Sequence, residues 1–162
     1  MFIEWITKGS AKSLRAVVQR VKRSCVKVNG ETIGEISKGI NVLVGITKDD
    51  NDEDLKYIKE KIFNLRIFSD ENDKMNLSVK DVKGELLIIS QFTLYGDARK
   101  GRRPSFIEAL GGEEAVKLYN DFIDLCKTEG LKIQTGEFGA DMEVEIINDG
   151  PVTLLLDSKK NF

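Results

Sequence analysis

Two short segments carry the side chains best placed for chemistry. The first is Ser90-Gln91-Phe92-Thr93-Leu94-Tyr95 and the second is Asn148-Asp149-Gly150-Pro151-Val152-Thr153. Glutamine offers two donors and an acceptor, and serine and threonine offer hydroxyls. A threonine hydroxyl is a weak nucleophile unless a base takes its proton. The chain contains no histidine, which excludes a Ser-His-Asp or Cys-His system, a His-ligated zinc and an imidazole proton shuttle. No lysine or carboxylate stands within the first segment. Thr93 therefore reads as an orienting group and not as a nucleophile. An ordinary strand end with solvated hydroxyls is the plain alternative. The second segment holds one of only two prolines in the chain. Asp-Gly-Pro before a strand is ordinary turn punctuation, and local sequence alone supports no more.

The 162 residues, 41% of them hydrophobic, are enough for one domain with its own core. A net charge of −2 excludes a protein that coats nucleic acid through its global field, so any RNA contact must be local. Arg99-Lys100-Gly101-Arg102-Arg103 is such a patch; a solvated loop is its alternative. The two cysteines, Cys25 and Cys126, form no CxxC and suit a reduced, cytoplasmic protein. No apolar run approaches the ~20 residues that span a bilayer. Asp70, Glu71 and Asp73 lack the spacing of a calcium loop. We expect no metal and no cofactor.

The elements that must position these residues follow from hydrophobic period. Apolar residues 16–18 and 21 begin a strand, and Asn29-Gly30 marks a hairpin. Residues 39–47 read as a buried strand. Leu55, Ile58, Ile62 and Leu65 make one face of a helix. Residues 69–83 form a polar loop with short extended pieces. Residues 86–92 make a strand, whose alternation places Gln91 and Thr93 on one face with Ser90, Phe92 and Leu94 on the other. Val116, Tyr119, Phe122, Ile123 and Cys126 line a second helix that Gly130 stops. Strands over 142–147 and 151–156 complete the chain. The order β-β-β-α-β-α-β-β predicts an α+β fold, a mainly antiparallel curved sheet or partial β-barrel with two packed helices.

The two six-residue segments together resemble the signature motifs of the D-aminoacyl-tRNA deacylases (the D-Tyr-tRNA deacylase family). Leu14-Arg15-Ala16-Val17-Val18-Gln19-Arg20-Val21 resembles that family's usual opening, Met-Arg-Ala-Val-Val-Gln-Arg-Val, from its second position on. Lys100 to Phe106 resembles its Lys-Gly-x-Arg-Pro-Ser-Phe segment, and residues 135–142 resemble a further one. The resemblance implies hydrolysis of the ester of a D-aminoacyl-tRNA by a homodimer. Ser90, Gln91, Phe92 and Thr93 would form the catalytic segment. Gly150-Pro151 would be a cis pair inserted into the partner subunit's site. Main-chain oxygens fixed there would collide with an L side chain and spare a D one; glycine, having no side chain, would escape rejection. Steric rejection of this kind exceeds the ~1–3 kcal/mol that pocket contacts give per methylene. Arg99, Lys100, Arg102 and Arg103 would meet tRNA phosphates. Phe138 and Met142 would border the terminal adenine, with core packing an equal alternative. A non-catalytic RNA-end binding module of the same fold is the second reading, and a plain structural dimer a third. The match begins at Leu14, so residues 1–13 are expected to lie outside a single domain over 14–162, with Leu14 as the true start, read from a non-AUG codon.

Overall fold

The computed structural model describes residues 12–162. Strand β1 (Arg15–Val28) is the spine of the sheet. Its first half pairs antiparallel with β3 (Gly39–Gly45) and its second half with β2 (Glu31–Ile36). The β1–β2 turn has Asn29 at φ 50° and Gly30 at φ 79°, the left-handed pair that a two-residue hairpin requires. Helix α1 (Asp52–Asn64) opens with a capping box, in which Asn51 Oδ1 accepts from the Glu53 N–H at 2.9 Å and Asp54 Oδ2 from the Asn51 N–H at 3.0 Å. A small hairpin of β4 (Phe68–Ser69) and β5 (Met75–Leu77) follows, then β6 (Glu85–Ser90), a 3₁₀ turn (Phe92–Tyr95), α2 (Gly112–Lys127), β7 (Ile133–Thr135) and β8 (Glu143–Asp157).

The sheet runs β2-β1-β3-β6-β7, with β8 on the other side of β1. The β3–β6 and β6–β7 pairs are parallel, because α1 and α2 serve as the crossovers that parallel neighbours need. The result is a mixed, nearly closed sheet with two helices, within the expected α+β class. β2 curls back until a Cβ on Gly34 would lie 2.7 Å from the Thr135 carbonyl oxygen. β6 is buried on both faces, so it reads as a continuous apolar run. Leu86 and Ile88 join the main core with both helices, and Leu87 and Ile89 join a smaller cluster with Val21, Val26 and Ile36.

Three expectations need correction. Strand β6 ends at Ser90, not Phe92. β3 ends at Gly45, so the Gln91 N–H makes the last rung to the Val44 carbonyl at 2.7 Å, and the chain then turns into the 3₁₀ helix. The two late strands are one, β8, interrupted by an excursion: Gln19 faces Thr153 and Val21 faces Asn148. In α2, Ala115 takes the buried place expected of Val116, which is 36% exposed. Residues 1–11 lie outside the described residues. Ser13, counted with them in the sequence, is 1% exposed.

Candidate active site

Strand β6 delivers Ser90 and Gln91 to the rim of a cavity of about 310 Å³. Val44, Ile46, Ile89 and Val144 supply its apolar lining, with Leu110 and Ala115 closing it near α2. Ser90, Gln91, Phe92, Phe138 and Met142 all line this one space, although they come from two segments nearly fifty residues apart. Thr93 does not line it. Gln91 Nε2 instead donates to Thr93 Oγ1 at 2.5 Å, which fixes the amide beside the cavity. Because the 3₁₀ turn begins at Phe92, the strand alternation expected for Gln91 and Thr93 does not apply. The tight turn depends on Gly45, where a Cβ would lie 2.8 Å from the Tyr95 ring. Phe92 remains 56% exposed and meets Phe106 edge-on, ring centroids 5.3 Å apart.

Phe138 is held by Tyr119 at 5.7 Å between ring centroids. The Tyr119 hydroxyl donates to the Ile88 carbonyl at 2.8 Å, and burial raises its pKa, so it is a neutral donor. Gly136 makes room for Met142: a Cβ there would lie 2.5 Å from its sulfur. Cys126 in α2 is fully buried, and burial pushes its thiol up to about 12, which removes it as a nucleophile.

Gly150 and Pro151 stand away from this cavity, on the exposed excursion of β8. Their peptide bond is cis. The excursion is pinned from within: Asn148 Oδ1 accepts from the Val152 N–H at 3.1 Å, and Asn148 Nδ2 donates to Thr153 Oγ1 at 3.0 Å. Arg20 is the larger brace. Its Nε donates to the Asp149 carbonyl at 3.0 Å and its Nη1 to the Ile67 carbonyl at 2.7 Å, with the Asp149 carboxylate 3.4 Å away. Sequence reasoning did not single out Arg20. Its signal was there, as a cation inside the apolar run 16–21.

The basic loop is exposed, and Asp97 and Ser105 close its base through N–H···O bonds of 2.8 and 2.9 Å. Arg99 is already engaged, bidentate to Asp97 at 2.9 and 2.6 Å. This pairing holds the Asp97 carboxyl well below the usual range. Among the described residues Arg102 and Arg103 make no ion pair. The loop lies off the cavity; Arg99 borders a second hollow, of about 670 Å³, with Lys12, Ser13 and Tyr95. Among the described residues no group of three or more His, Cys, Asp or Glu could hold a metal ion, and no helix is long and apolar enough to cross a membrane.

A curved mixed sheet thus presents Ser90, Gln91 and Phe92 at the mouth of a largely apolar cavity. Known proteins give the family. The model of the D-Tyr-tRNA(Tyr) deacylase family matches residues 17–157. The D-aminoacyl-tRNA deacylase of Clostridium beijerinckii is 71% identical over 149 residues, 92% of this chain and all of that protein. That of Clostridium novyi is 72% identical over the same shares. A solved structure named c-Myc DNA Unwinding Element Binding Protein superposes at TM-score 0.82 with 45% identity, over 88% of this chain and 97% of that one. A probable eukaryotic D-amino acid tRNA deacylase shares the fold at TM-score 0.78 with 18% identity, over 90% and 99%. The chain belongs to the D-Tyr-tRNA(Tyr) deacylase family and is an enzyme, a deacylase.

Proposed function

We propose that this protein hydrolyses the ester bond of D-aminoacyl-tRNA, releasing the D-amino acid and free tRNA, and so proofreads chirality in the cytoplasm. The observation that carries the reading is the gathering of Ser90, Gln91, Phe92, Phe138 and Met142 around one cavity. Its aromatic and thioether walls suit the terminal adenosine. Its polar rim suits the ester. Gln91, steadied by Thr93, orients a water, backbone N–H groups meet the developing oxyanion, and the ribose 2′-hydroxyl assists.

In this reading Gly150-Pro151 of one protomer enters the cavity of its partner and turns L side chains away by main-chain contact. The exposure of both residues and the bracing of the Asp149 carbonyl by Arg20 support it. Apolar side chains exposed along β8, with Leu155 at 60% and Ile147 at 41%, favour burial against a second copy. Glycyl-tRNA, which offers no side chain to reject, is cleaved as well. Arg102, Arg103, Lys100 and the partly occupied Arg99 contact tRNA phosphates.

A non-catalytic nucleic-acid binding module is the second reading, favoured by the DNA-binding name of the 45% identical structure. Incubation with D-tyrosyl-tRNA and its L counterpart separates them. The enzyme releases only the D form; a binder protects both esters, and a structural dimer affects neither.

A further inference from the structure

Among the described residues that line the cavity, Asp141 alone is charged. Its backbone is fixed from both sides. Gly139, at φ 80°, turns the chain so that the Ala140 N–H meets the Glu137 carbonyl at 3.2 Å, and β8 begins at Glu143. Met142, the next residue, occupies the gap that Gly136 leaves. Asp141 is exposed, and among the described residues its carboxylate makes no hydrogen bond or ion pair. Unpaired surface carboxylates are common and need no partner. This one stands on an otherwise uncharged, largely apolar wall, beside Ser90 and Gln91. A ligand that displaces water there strengthens any charge–charge contact it makes.

An aminoacyl ester carries an α-ammonium on the same carbon that bears the side chain. Telling D from L takes three fixed points around that carbon. The ester, held at Ser90 and Gln91, is one, and the main-chain wall of Gly150-Pro151 is another. These two leave the carbon free to rotate about its bond to the carbonyl. An L ester could then swing its side chain into the place of the ammonium and escape the wall. We propose that Asp141 binds the α-ammonium of the aminoacyl group and supplies the third point, a role that rests on the deacylase reading. Ammonium and carboxylate form a charge-assisted hydrogen bond, stronger and better directed than a neutral one. The contact is the same for every side chain, so it fixes handedness without reading amino-acid identity. Glycine carries the same cation and stays a substrate. Esters whose amine is blocked, as in a peptidyl-tRNA, lack the cation and fall outside the substrate class.

The test uses two esters on one tRNA, read by release of the labelled acid with the full chain. One is D-tyrosyl-tRNA. The other carries the matching D-α-hydroxy acid, in which a hydroxyl replaces the ammonium at nearly the same size. The wild type should cleave the amino ester with a kcat/KM about tenfold higher or more, as one hydrogen bond between charged groups provides. Asp141→Asn should bring the amino ester down to the level of the hydroxy ester and leave the hydroxy ester nearly unchanged. Its D-to-L ratio for tyrosyl-tRNA should fall as well. Asp141→Glu should keep part of the preference, because the charge remains. The melting temperature should not move in either variant, since the carboxylate holds nothing in the fold. Equal effects of Asp141→Asn on the two esters, or none, would overturn the assignment and leave the deacylase reading intact. A wild type that treats the two esters alike would do the same. A wild type that releases neither acid would remove the deacylase reading, and the role of Asp141 with it.

Discussion

Arg20 Nε lies 3.0 Å from the Asp149 carbonyl oxygen, so a side chain rooted in the middle of β1 fixes the carbonyl just before Gly150-Pro151. A second bond from the same guanidinium, to Ile67 at 2.7 Å, ties the excursion to the segment after α1. Only 11% of the Arg20 side chain is exposed, so loss of either bond leaves a polar group poorly hydrated.

Arg20→Ala is accordingly expected to loosen selection more than folding. Hydrogen bonds to charged groups contribute ~1.5–3 kcal/mol each at most, which a domain of this size survives. The ratio of D- to L-tyrosyl-tRNA hydrolysis should fall at least tenfold, measured by release of labelled amino acid. An unchanged ratio would show that the excursion holds its shape without the brace.

Thr93→Ala is expected to slow release moderately, by less than the ~10²–10³-fold seen on removing an oxyanion donor, because its hydroxyl only steadies Gln91. Quenched reactions should show no acyl-protein mass. Complete loss in Thr93→Ala together with a trapped adduct on Thr93 would make it a nucleophile.

Much of the fold was legible in the sequence because the period changes are clean. Asn29-Gly30, the 3- and 4-residue steps of α1 and the apolar run of β6 each name their element. The parallel pairing of β6 was not legible, since a strand buried on both faces carries no mark of direction. Nor was the 3₁₀ turn at Phe92: the loss of a β3 partner after Gly45 is a tertiary fact. The candidate site divides the same way. Ser90, Gln91 and Phe92 stood out as a motif, while the apolar lining from Val44, Ile46 and Ala115 looks in sequence like any core. The Asn148–Thr153 excursion is set by register against β1, which no local pattern displays.

Gly136→Ala places a methyl 2.5 Å from the Met142 sulfur. The flexible methionine should yield into the cavity and not unfold the sheet. KM for D-tyrosyl-tRNA should rise several-fold while the melting temperature changes little. A stable variant with unaltered KM would place the substrate elsewhere.

Arg102→Gln with Arg103→Gln should weaken tRNA binding and flatten its salt dependence, the slope of log K against log salt falling by about 0.7–0.9 for each phosphate no longer neutralised. Arg99→Gln should do less, because Asp97 already holds that guanidinium. Filter binding across a salt series reads both. Equal effects at Arg99 and Arg102 would contradict the assignment.

The most direct test of a site shared between two copies is subunit mixing. One variant carries Gln91→Ala. The other carries Gly150→Val, whose Cβ would lie 2.8 Å from Val152 Cγ2 and 3.1 Å from Arg20 Nη2. Each alone should release little D-tyrosine, the first because it lacks the amide that orients the water, the second because its added side chain enters and blocks the partner's cavity. Mixed dimers assemble one site with both defects and one with neither, so unfolding and refolding the variants together should restore release of the D form and leave the L ester intact. No recovery on mixing, with mixed dimers present, would mean that each chain supplies its own selecting segment, and the account would fail.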